Sequence, residues 1–164
     1  MRVETKKLAM MGMFTALAMI FGYVEAILPI SVGIPGVKLG FANIVILFAL
    51  YRLKPSEAFL INVVRIVLVS FMFGNLSIMI YSLAGGTCSF LAMLLLKKSD
   101  QFSIYGVSVA GGIFHNIGQL IVAMLVMESF SLMYYGPVLL ISGLVTGLLI
   151  GIVSQEVLKR IGNH

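Results

Sequence analysis

Apolar residues run through this chain in stretches long enough to cross a bilayer, and the charged side chains fall almost entirely in the breaks between them. A hydrocarbon core of roughly 30 Å takes about 20 helical residues, so 164 residues hold about six crossings with short loops. A soluble domain needs roughly 25% charged residues to cover its surface. Here 10% are charged, 60% are apolar and the mean hydropathy is +1.11. Disorder is excluded for the same reason, because it requires low hydrophobicity and high charge. The expected fold is all-α: a polytopic membrane protein, a six-transmembrane-helix bundle, forming one integral domain over residues 1–164. The spans are expected at about 8–28, 38–52, 57–73, 76–96, 104–127 and 135–158. The runs are long and do not alternate apolar with polar, which argues for helices over barrel strands.

Breakers mark the connections. Pro29, Gly33, Pro35 and Gly36 punctuate the first loop, Pro55 the second, and Pro137 opens the last span. The basic N-terminus followed by an apolar run resembles a signal peptide. The run from Leu8 to Leu28 is long enough to span and no small-residue cleavage site follows it, so it reads as a retained first helix. With six spans, Arg2, Lys6, Lys7, Arg52, Lys54, Lys97, Lys98, Lys159 and Arg160 share one side, and only Lys38 lies in an opposite loop. That asymmetry predicts a cell-membrane protein with both termini cytoplasmic. It also accounts for the net charge of +5 without a nucleic-acid partner. The single cysteine, Cys88, sits in an apolar segment and reads as a small buried hydrophobe.

Polar groups inside the spans are costly in lipid and mark cavities or partners. Arg65 lies mid-segment, with Asn62 on the same helical face at i, i+3. Its guanidinium fork suits a carboxylate or phosphate; a structural role, bonded to helix carbonyls or paired with Glu25, is the other reading. The fifth span carries His115, Asn116 and Gln119 within five residues, with Ser108, Gly111 and Gly112 on the same stripe. That pattern fits the lining of a pocket, although interhelical hydrogen bonding also uses such residues. Asn43 lies near the start of the second span, just after Lys38. Glu25, Lys38 and Asn75 gather toward the extracytoplasmic side, under a Pro/Gly loop over 29–37 that could act as a lid.

Small residues at spacing four allow helices to approach closely. Gly143, Gly147 and Gly151 form such a stripe on the last helix. The first helix has two: Gly12 with Ala16, and Ala18 with Gly22 and Ala26, so one face can serve the bundle and the other a partner. The sequence lacks a P-loop. Asp100 is its only aspartate, which leaves no aspartate-rich cluster for magnesium and diphosphate. The lone cysteine and the two histidines give no metal-ligand spacing. The expectation is a protein without catalytic residues, cofactor or metal.

The stretch Pro35-Gly36-Val37-Lys38-Leu39-Gly40-Phe41-Ala42-Asn43 resembles the loop and second helix of the Gx transporter family, also labelled heptaprenyl diphosphate synthase component I. Arg65, Gly85-Gly86 and His115-Asn116-Ile117-Gly118-Gln119 are similar to its later motifs. More distantly, the chain resembles the substrate-binding S components of energy-coupling-factor (ECF) importers. The resemblance implies capture of a small molecule from outside, with a transmembrane coupling protein and cytoplasmic ATPases as partners. It implies that Gly12 and Ala16 meet the coupling protein, with glycine standing where alanine is often found. The substrate is expected to be anionic or related to isoprenoids or vitamins. Lys38 and Arg65 would attract it, and Asn43, Asn62, His115, Asn116 and Gln119 would hydrogen-bond it. The alternative is a non-catalytic membrane subunit associated with heptaprenyl diphosphate synthesis.

Overall fold

The computed structural model describes residues 2–27 and 40–162. Lys38 and the 29–37 loop lie outside the described residues. Six α-helices follow in order: α1 Arg2–Ile27, α2 Asn43–Arg52, α3 Pro55–Phe73, α4 Leu76–Lys98, α5 Ile104–Val126 and α6 Gly136–Gly162. A 3-10 helix, Phe130–Tyr135, precedes α6. Five of these are long and apolar enough to cross a membrane. The chain is a helical membrane protein.

Local chemistry sets the boundaries. Pro55 opens α3, where its missing N–H costs nothing, and Glu57 Oε2 accepts the Lys54 N–H at 3.2 Å. Asn75 caps α4 by accepting the Ile78 N–H at 2.9 Å. Ser103 caps α5 by accepting the Gly106 N–H at 3.3 Å. Each cap satisfies a donor that the first helical turn leaves open.

The second expected span is helical only from Asn43, and its 10 residues rise roughly 15 Å. The segment from Gly40 to Glu57 that contains it nevertheless reaches from one level of α1 to the other. Gly40 donates its N–H to the Glu25 carboxylate near the end of α1. At the far end, Glu57, just inside α3, pairs with Lys7 near the start of α1. Between these levels α2 touches α1, α3, α4, α5 and α6, and six of its ten residues are buried. A helix that is apolar on every side belongs in such a central position.

In lipid no hydrophobic force draws helices together, so close approach of small residues does the work. The stripe Gly143, Gly147, Gly151 packs antiparallel against Gly112, Val109 and Tyr105 of α5. A Cβ on Gly143 would lie 2.7 Å from the Gly112 carbonyl oxygen, and one on Gly147 2.7 Å from Val109 Cα. Ser108 reinforces the seam by donating to the Gly147 carbonyl at 2.6 Å. On its other side α5 sets Gly118 against Ala84 of α4. Ser108 and Gly112 therefore belong to a helix–helix contact and not to the pocket lining expected from their stripe.

The two small faces of α1 separate only in part. Ala18 is buried and Gly22 packs on Val69, but Ala26 of the same stripe is exposed, as is Ala16, and a Cβ on Gly12 would meet nothing within 4 Å. Among the described residues α1 touches only α2 and α3, and it is the least buried of the five long spans.

One end of the bundle collects the basic residues. Lys7 meets Glu57, and Lys97 reaches the Leu50 carbonyl at 2.5 Å and lies over the Tyr51 ring at 4.8 Å. The antiparallel α5–α6 seam brings Lys159 and Arg160 to the same end as the start of α5.

Candidate functional site

Arg65 sits near the middle of α3, 7% exposed, at the centre of a polar cluster drawn from five helices. Its Nε donates to Asn62 Oδ1 at 3.1 Å, and its Nη2 donates to Asn62 Oδ1 at 2.9 Å and to Asn43 Oδ1 at 3.3 Å. The i, i+3 pair seen in the sequence is therefore a forked contact. Asn62 is fixed in turn by donating to the Gly86 carbonyl of α4 at 3.0 Å. Asn43 is fixed by donating to Ser89 Oγ at 3.3 Å. Both asparagines thus turn their carbonyl oxygens toward the cation, which is the orientation a buried guanidinium requires.

These bonds engage three of the five guanidinium N–H groups, leaving the pair on Nη1 outside them. The guanidinium borders a cavity lined by Gly22 and Glu25 of α1, Arg65, Ile66, Val69 and Ser70 of α3, Ser82 of α4 and His115 of α5. The cavity is about 10 Å³, the size of one water. Opposite charges, Arg65 and Glu25, share this wall in a medium of low dielectric constant, where their attraction is much stronger than in water.

Glycines make room for His115. A Cβ on Gly85 would lie 3.1 Å from its Cε1 and 2.8 Å from its carbonyl oxygen. Gly40 has φ +84°, a conformation that favours glycine, and a Cβ there would lie 3.0 Å from His115 Cδ2. Gln119 packs by its Cγ against Gly85, one turn further along α5, and is fully buried.

The structure thus brings Asn43, Asn62, Arg65 and His115 together, with Gln119 adjacent. It turns Asn116 away: Asn116 Nδ2 donates to the Leu139 carbonyl of α6 at 2.7 Å. Lys38 lies outside the described residues. Glu25, Ser70, Ser82 and Ser89 complete the cluster. The three serines were not singled out from the sequence, because a serine in a span more often bonds its own helix. Asn62→Leu should lower the stability of the purified chain by about 2 kcal/mol, since it removes two bonds to Arg65 and one to Gly86, and interhelical bonds in membranes are individually modest. Thermal unfolding in detergent would measure it.

No curated protein and no solved structure matches the chain significantly. A family model described as heptaprenyl diphosphate synthase component I matches residues 14–157, from the middle of α1 to near the end of α6. That match covers the polar cluster and every helix that builds it, and the chain belongs to this family.

Proposed function

We propose that the chain is the substrate-capturing membrane component of an importer of the ECF type, binding a small molecule through an anionic group. The observation that carries this reading is Arg65: a buried cation in mid-span, oriented by two asparagines, whose guanidinium borders a cavity walled by four helices. The cation supplies charge, and Asn43, Asn62, His115 and Gln119 supply hydrogen bonds around it.

The cavity has room for about one water, so a ligand enters only if its walls part. The wall formed by Gly22 and Glu25 belongs to α1, which among the described residues touches only α2 and α3. Movement of α1 would open the site and at the same time move the face that carries Gly12 and Ala16. That face is open to a second membrane protein, and close contact through small residues is how helices associate in lipid. In this reading the basic end of the bundle faces the cytoplasm. ATPases acting through the coupling protein supply the energy.

Gentle purification from native membranes tests the assembly. The coupling protein and its ATPases should co-purify with the chain. Gly12→Leu should release them while leaving the folded chain and its ligand in place, because a side chain at Gly12 has open space in this bundle. A chain that purifies alone from every membrane would contradict the proposal.

The family description is the basis of a second reading, a non-catalytic membrane subunit of heptaprenyl diphosphate synthesis. Reconstitution of a soluble prenyltransferase with and without the chain separates the two. A change in rate or product length supports the synthase role, and no change supports transport.

A further inference from the structure

Asn116 is the member of the polar motif on α5 that the Arg65 cavity does not use. Its side chain is 1% exposed. The bond from Nδ2 to the Leu139 carbonyl fixes the amide orientation, because that carbonyl can only accept. Oδ1 is then left buried with no hydrogen-bond partner among the described residues. Buried acceptors are nearly always satisfied, and one that is not asks for a partner from outside the chain.

Asn116 and Leu139 line a cleft of about 520 Å³ between α5, α6 and the 3-10 helix. That size falls within the range of small-molecule sites. Ile121, Met124, Met133 and Leu140 form much of its wall, and among the described residues Asn116 alone lines it with a polar side chain. The two methionines can adapt to an irregular guest. Ile121 and Leu140 are exposed, and exposed apolar side chains on membrane-spanning helices face lipid, so in this reading the cleft is open to the bilayer. Asn116 lies midway along α5, a depth that a charged headgroup reaches only at high cost. Hydrocarbon tails can fill the cleft but have no donor to offer Oδ1.

We propose that this cleft is a second binding site, separate from the Arg65 cavity, for an uncharged apolar molecule with a hydroxyl group that enters from the bilayer and donates its O–H to Asn116 Oδ1. The hydroxyl satisfies an acceptor that has no partner among the described residues once the side chains covering it shift, and the apolar body replaces lipid tails against α5 and α6. The proposal does not depend on what the Arg65 cavity binds.

Photolabelling of the full-length chain in phosphatidylcholine nanodiscs tests it. The probes are a long-chain alcohol with a diazirine in its tail and the methyl ether of the same compound. One hydrogen bond corresponds to about a three- to tenfold preference. The alcohol should label the cleft segments of α5 and α6 by that factor over the ether. Asn116→Leu should abolish the preference. Because this change also deletes the bond to Leu139, Ile121→Trp at the lipid-exposed wall serves as a second variant, which should fold and should exclude both probes. Equal labelling by alcohol and ether would overturn the proposal and assign the cleft to ordinary lipid tails. A preference that survives both variants, or that is as strong on the outer face of α1, would also overturn it.

Discussion

Replacing Arg65 with alanine should weaken binding of the captured anion by at least about 100-fold. Hydrogen bonds to charged groups contribute about 1.5–3 kcal/mol each, and the two Nη1 donors lie outside the bonds to Asn43 and Asn62 among the described residues. Arg65→Lys should recover only part of the loss, since an ammonium keeps the charge and gives up the planar fork. Glu25→Gln should act in the opposite direction and tighten binding several-fold, because it removes a negative charge from the same cavity wall. The effect of Arg65→Ala on stability should be smaller than its effect on binding. The change strips donors from Asn43 and Asn62 but also removes the cost of burying a charge. Isothermal titration with the folded variants separates the two. If Arg65 were only structural, Arg65→Ala would unfold the chain and Glu25→Gln would weaken it as well.

The second large effect lies at the α5–α6 seam. Gly112→Val should leave little folded protein, a loss of more than about 4 kcal/mol, because a Cβ at Gly112 collides with the Gly143 carbonyl and neither backbone can yield without separating the helices. The same change at Gly12 should leave the melting temperature in detergent within a few degrees of the parent's, since nothing lies within 4 Å of that position. The contrast matters because both glycines sit in small-residue stripes that look alike in the sequence. Melting both variants side by side would show whether the seam or the stripe pattern governs stability.

Much of this structure can be read from the sequence, because a bilayer allows few solutions. Long apolar runs had to be helices, and breakers and caps such as Pro55, Asn75 and Ser103 mark their ends. The pairing of Arg65 with Asn62 followed from i, i+3 spacing alone. What spacing cannot reveal is the direction of a helix face. His115 and Gln119 turn toward α4, while Asn116, between them, turns to the α6 backbone. Ser108 and Gly112 looked like pocket residues but lie where α6 presses on α5. The central place of α2 was hidden for a similar reason: its apolar run is short, and only its contacts with five other helices show that it is surrounded. Ser89 and the cavity serines could be recognised only once their partners on other helices were known.

The most direct test of the central claim is native mass spectrometry of the chain purified from cells in lipid nanodiscs, compared with Arg65→Ala prepared in the same way. The parent chain should carry a small anionic molecule as a mass adduct, and the folded variant should carry none. The same adduct at the same occupancy on both chains, or no adduct on either, would contradict the account.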